Sequence, residues 1–123
     1  MILYLELEVL ADQLANAGFN VRDYGLVEAA LARARANLFG TDVYPTLELK
    51  AAAIVQSMVV SKPMLAANNR SAWFVLNAFL SINGYSLEAN RSQVLELMQT
   101  IQQDKISLPQ QAEWIATHKV AFA

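Results

Sequence analysis

The chain has 123 residues, enough for one domain (1–123) with a real core. Hydrophobic residues make up 55% of it and charged residues 16%, against about 25% charged in typical domains, and the net charge is −2 at pH 7. No lysine- or arginine-rich run is present, so no nucleic-acid partner is expected, and the absence of cysteine excludes disulfides and thiolate metal sites and fits a reducing cytoplasm.

Met1–Leu5 reads as a short extended segment, and no basic n-region precedes it to suggest a signal peptide. Leu7, Leu10, Leu14 and Ala17 then recur at helical spacing, with Gly18 as the stop. A second helix begins near Gly25, with Leu26, Ala29, Ala30 and Leu31 on one face. Arg33 and Arg35 read as solvated cations at its C-terminal end, where the dipole suits them. Phe39, Gly40, Thr41, Asp42, Val43 and Tyr44 break the helical period, with turn chemistry between aromatic ends, and suggest a tiny hairpin. Pro45 and Thr46 start a third helix through about Val60, apolar almost all round as a central buried helix should be.

After the loop Ser61–Asn69, a fourth helix runs from about Arg70 to Ile82 and stops at Asn83-Gly84. Its apolar run Ala72–Leu76 is broken by Asn77 and resumes only to Leu80, too short for the ~18–20 residues of a membrane span. Asn90 with Gln93 and Ser107 with Gln110 resemble capping boxes for two further helices. Trp114 and Ile115 read as core contacts of the last one. The expected fold is all-α: a compact helical domain whose two buried central helices are joined by a loop, with a small hairpin at its side.

That joining stretch reads "SKPMLAANNRSAW". A loop that feeds a helix N-terminus offers unpaired N–H groups and a positive dipole end, a natural anion site. The groups around Ala67, Asn68, Asn69 and Arg70 are the candidates, and Arg70 adds a planar fork for phosphate oxygens. Ordinary helix capping by an Asn-Asn-Arg start is the plainer reading. No carboxylate lies in the stretch, and Lys62 is its only candidate base.

The order "YGLVEAALARARANLFGTDVYP", "LELKAAAIVQSMV", "KPMLAANNRSAW" and "FLSINGY" resembles the death-on-curing (Doc) branch of the Fic family. "YLELEVL" and "EWIATH" resemble the family's termini, so the resemblance covers nearly the whole chain. The family loop reads His-x-Phe-x-Asp/Glu-Gly/Ala-Asn-Lys/Gly-Arg. Laid over this sequence, its histidine falls on Lys62, its aromatic on Met64, its acid on Ala66 and its small residue on Ala67. Asn68 and Arg70 match, and Asn69 stands at the Lys/Gly position. The second arginine of the adenylylating branch falls on Trp73, so "NRSAW" looks more like the Doc branch, which moves phosphate from ATP to a protein hydroxyl. The resemblance also makes Phe39–Tyr44 the flap that clamps the target peptide by strand addition, where the plain alternative is a connector. No Ser/Thr-x-x-x-Glu stretch matches the inhibitory helix of some Fic proteins, which implies control by a separate antitoxin of the Phd type.

In the family the loop histidine takes the hydroxyl proton and the acid holds Mg²⁺ on the nucleotide. Lys62 serves as a base only if neutral, and a phosphate pocket favours its ammonium form. Ala66 leaves Mg²⁺ with water and phosphate alone, since the nearest acids are Asp42, Glu48 and Glu88 on other elements. Two readings follow. One is a pseudoenzyme that keeps a cradle for ATP or another nucleotide and a partner surface; the other is an active transferase moving phosphate, or AMP, to a protein target the sequence does not name. His118, the only histidine, reads as a helix-end residue. Trp73, Phe74, Phe79, Met58 and Met64 read as core, and the apolar composition suggests a homodimer or a complex.

Overall fold

The computed structural model describes residues 1–122. Helix α1 spans Leu7–Asn16 and α2 spans Tyr24–Ala34. A two-stranded hairpin follows, β1 Asn37–Leu38 and β2 Thr41–Asp42, and then α3 Leu47–Ser61 and α4 Asn68–Ile82. Strand β3 Tyr85–Leu87, α5 Arg91–Gln102, α6 Leu108–His118 and β4 Lys119–Ala121 complete the order. The all-α expectation holds, with short strands only at the margins.

Helix α3 is the axis of the bundle and packs against α2, α4, α5 and α6. Thr46 caps its start, the side chain accepting the Leu49 N–H, and the cluster Ala51, Ala52, Ala53, Ile54, Val55, Met58 and Val59 is buried. The middle of this helix, residues 50–55, is buried all round and needs small residues where neighbours approach, which the three alanines supply. Helix α4 buries Ala72, Val75, Leu76, Phe79 and Leu80, each larger side chain contributing about 1.5–3 kcal/mol by leaving water. Trp73 and Phe74 are half-buried and pack against this core at its margin rather than inside it. Ala17 is exposed, and α1 turns only Leu10 and Leu14 fully inward.

Both capping boxes form, Asn90 with Gln93 and Ser107 with Gln110. The sequence pattern missed the antiparallel pair β3–β4, which runs Tyr85↔Ala121, Ser86↔Val120 and Leu87↔Lys119. Met1–Leu5 forms no strand; the Leu3 N–H instead donates to Asn83 Oδ1 at 2.8 Å and the Asn83 amide donates back to the Leu3 carbonyl at 2.9 Å. The Phe122 N–H reaches the Gly84 carbonyl at 3.0 Å, so both ends of the chain fasten on the turn after α4. That turn places Gly84 at φ +91°, a left-handed position where a side chain would be strained.

Candidate functional site

Helix α3 ends at Lys62 in the left-handed region (φ 53°, ψ 63°), and α4 starts after Ala67, also left-handed (φ 59°, ψ 42°). Such a conformation costs a non-glycine residue roughly 1–2 kcal/mol, so the intervening loop has to be held by its surroundings. The hold is mostly main chain. The N–H groups of Arg22 and Asp23 donate to the Pro63 carbonyl at 2.8 and 3.1 Å, and the Leu65 N–H donates to Asn20 at 2.9 Å. The Arg22 guanidinium donates to the Lys62 carbonyl at 2.7 Å. Asn68 closes the loop on itself: its Oδ1 accepts the Met64 N–H at 2.8 Å and its Nδ2 donates to the Met64 carbonyl at 3.2 Å. Met64, at the family's aromatic position, is buried and anchors the loop in the core.

Helix α4 begins two residues earlier than the sequence pattern indicates, at Asn68. Its N-cap, Ala67, has no side chain to accept a hydrogen bond, and the first helical bond is the Ser71 N–H onto the Ala67 carbonyl at 2.9 Å. The N–H groups of Asn68, Asn69 and Arg70 therefore lie ahead of the helical ladder, as an anion site requires. Arg70 is exposed, with its guanidinium carbon 5.7 Å from the centre of the Phe19 ring. It borders an apolar groove of about 410 Å³ floored by Trp73, Phe74, Val94 and Met98. Asn69 makes a long contact to Gln102 Oε1 at 3.5 Å. The structure thus brings Asn68, Asn69 and Arg70 to one helical turn. Lys62 is exposed across the loop and lines neither this groove nor the larger cavity nearby.

That larger cavity, about 550 Å³, lies between α2, α3 and α5 and reaches Ser61 at the start of the loop. Its walls include Ala29, Ala30, Val60, Arg33, Ser57 and Asp104. Arg33 corrects the picture of a solvated helix end. Its Nη1 donates to the Ala53 carbonyl at 3.0 Å, Gln56 Oε1 at 2.9 Å and Ser57 Oγ at 2.9 Å, while Nη2 donates to the Tyr44 hydroxyl at 2.8 Å. Arg35 is half-buried and pairs with Glu28 at 3.1 Å.

The acids nearest the loop in sequence lie on or beside other elements. Asp42 pairs with the buried Lys50 at 3.0 Å; the hydrogen bond from Lys50, then that from Asn37, then the lysine's charge hold its carboxyl below the ordinary 3.8. Burial raises Glu48, but its hydrogen bond from Lys119, its own backbone and the Lys119 charge outweigh that and leave it lowered. Glu88 is exposed, its N–H bonded to the His118 carbonyl at 2.9 Å. Among the described residues no group of three or more His, Cys, Asp or Glu is placed to hold a metal ion. With alanine at the loop's acid position, these residues do not fit Mg²⁺ in the family's manner. His118 stacks on Trp114, ring centres 3.9 Å apart, and since a carbonyl only accepts, its Nδ1 carries a proton toward the Trp114 oxygen at 2.7 Å. It is a helix-end residue, as the sequence suggested.

No family model matches the chain. It is 43% identical over 90 residues to Toxin Doc of Mycolicibacterium smegmatis (strain ATCC 700084 / mc(2)155), a stretch covering 71% of this chain and 69% of that protein. The chain belongs to the Doc toxin family. Within this Doc-family chain, three groups at these sites are poorly marked by sequence: Lys50, Arg33 and Asp104. Lys50 had one available signal, a lone cation inside "LELKAAAIVQ", where a helix dry on all sides must bury it. Asp104 has no comparable signal, because only the packing of α5 beside α3 brings it to the cavity wall. Among the described residues no helix is long and apolar enough to cross a membrane.

Proposed function

We propose that this protein is a Doc-type toxin homologue of a toxin–antitoxin system that has lost its transfer chemistry, keeping a phosphate or nucleotide cradle and a partner surface. A contrast within one loop carries this reading. The bracing of residues 62–68 is complete, whereas Lys62 and Ala66 occupy the positions of the family's base and metal acid. The only imidazole is engaged with Trp114, so no histidine replaces the base. ATP or another nucleotide would meet the free N–H groups of Asn68, Asn69 and Arg70, with Arg70 swinging from Phe19 onto a phosphate. Ala67 contributes its left-handed turn, and Lys62 adds positive charge without acting as a base.

A Phd-type antitoxin is the proposed partner. The exposed apolar side chains Leu38, Phe39 and Val43 on and beside the hairpin, Val60 on the cavity and Leu65 in the loop support a docking face there. The segment Phe39–Tyr44, from the tip of the hairpin to just past β2, is proposed as the element that holds an extended partner segment.

The alternative is an active transferase moving phosphate or AMP to a protein hydroxyl. One observation favours it: Asp104 lines the same cavity as Ser61 and brings a carboxylate near the loop. Calorimetric titration of ATP with and without Mg²⁺ separates the two. Binding indifferent to Mg²⁺ and weakened at least about tenfold in Arg70→Ala, the loss of one charge-assisted contact, is the expected result. Binding that needs Mg²⁺ and disappears in Asp104→Asn would favour the transferase. No binding at all would remove the cradle and leave the partner surface.

A further inference from the structure

Helix α3 buries an ammonium group. Lys50 is 0% exposed; its Nζ donates to the Ala34 carbonyl at the end of α2 at 3.1 Å and to Asp42 Oδ2 at 3.0 Å, with the Tyr4 ring centre 5.8 Å away. Among the described residues Asp42 is its only carboxylate, and Asp42 sits on β2 with its side chain 45% exposed. A second cation acts beside it. Arg33, held to α3 by Ala53, Gln56 and Ser57, donates to the hydroxyl of Tyr44 just past the hairpin. Between these two points the Val43 N–H donates to the Ala36 carbonyl at 2.9 Å, and Asn37 bridges the strands to Asp42 and Gly40.

Strands of two residues are marginal alone, so the hairpin's order comes from these fastenings. The dependence runs both ways. If the hairpin swung away, Lys50 would keep one carbonyl and an aromatic face in a dry environment, and an unpaired buried ammonium is strongly disfavoured. A lid needs two poses of similar free energy, and this arrangement penalises the open one.

We propose that Lys50 and Arg33 are positioning residues that fasten the β1–β2 hairpin as a fixed ledge, so that an extended segment docking on it meets a preordered edge. The strands pair only with each other, which leaves their outer N–H and C=O groups open to a further strand. Phe39, 99% exposed at the tip, offers apolar contact. The fastening stands on its own geometry; its consequence for a partner rests on the hairpin being the docking element proposed above.

The test is amide hydrogen exchange on the full chain without ligand, with the β3–β4 region as internal reference. Asp42→Asn keeps the side-chain shape on an exposed residue and removes the charge. It is expected to speed exchange of the Val43 N–H at least about tenfold while leaving the Glu88 N–H unchanged. Asp42→Glu restores the charge and most of the protection, and Tyr44→Phe gives a smaller loss of the same sign. A Val43 amide already unprotected in the parent, or protection unmoved in Asp42→Asn, overturns the ledge. So does a loss spread equally over both regions, which would mark general destabilisation. None of these outcomes bears on the nucleotide cradle, because no nucleotide is present.

Discussion

The loop between α3 and α4 and the β1–β2 hairpin adjoin opposite ends of one helix and are held in different ways. The loop is fixed by main-chain bonds from Asn20, Arg22 and Asp23, by the Arg22 side chain on a carbonyl, and by the amide of Asn68. The hairpin is fixed by the side chains of Lys50 and Arg33 acting on Asp42 and Tyr44. Main-chain bonds do not depend on which side chain a residue carries. Lys62, Met64 and Ala66 can therefore stand where the family has other residues without disturbing the loop's path. The hairpin has less tolerance, since beyond its strand pairing and the Val43–Ala36 bond its hold comes from side chains at named positions. Shape and chemistry are separable in the loop and joined in the hairpin.

The strongest test of that contrast is to place the family's histidine and acid in the loop. Lys62→His combined with Ala66→Asp should raise transfer of label from ATP to protein by at least about 10²-fold over the parent, the lower end of what a general base supplies. A folded double variant that stays silent would mean the loop's path had changed along with its side chains. Next in size is Lys50→Ala, which empties a fully buried volume and costs about 2–4 kcal/mol in denaturant unfolding. The matching change in the loop, Lys62→Ala, should stay within about 0.5 kcal/mol, because that side chain is exposed. Asn68→Ala lies between them at about 1–2 kcal/mol, since it leaves both polar groups of the buried Met64 backbone without their partner.

Acid offers a milder probe. The Asp42 carboxyl is lowered by Lys50 and Asn37, so its contribution is fully present above the ordinary carboxylate range and is lost as pH falls through the lowered value. Hairpin amide protection, corrected for intrinsic exchange, should be flat from about pH 7 to about pH 5 and fall below about pH 4. Loop protection at Leu65 depends on no carboxylate side chain and should outlast it.

The bundle was legible in the sequence because its signals are local. Apolar periodicity, Gly84 and the Asn90 and Ser107 caps each act within a few residues, and the helices appear where these signals stand. The pair β3–β4 was not legible, because its strands lie 32 or more positions apart and neither has a partner until the chain has folded. In the loop, the sequence marked the helix start and the absent acid. It did not show that the Asn68 amide turns inward onto Met64 or that Arg70 rests over Phe19. Arg33 was misjudged for a related reason. Its position at a helix end allows solvation, and only the arrival of α3 and Tyr44 supplies its four acceptors.

Loop and hairpin share one feature: each contains a non-glycine residue at positive φ, Ala67 at 59° and Phe39 at 52°. At Ala67 the methyl group is exposed, and the N–H groups that follow belong to the backbone. Ala67→Gly removes roughly 1–2 kcal/mol of left-handed strain. It also frees the unfolded chain, which takes back about 0.4–1 kcal/mol, so a net gain of about 0.5 kcal/mol is expected in denaturant unfolding. ATP affinity should not change. At the hairpin tip the equivalent relief is Phe39→Asn, which completes the Asn-Gly pair favoured where both central residues have φ above zero, as at Phe39 and Gly40. That change should slow exchange of the Val43 N–H yet weaken any partner held through the exposed ring. On the proposed cradle, the loop can gain stability at Ala67 without losing a contact, because that residue offers a nucleotide no side-chain group; the hairpin cannot, because Phe39 is both its strained residue and its most exposed apolar side chain.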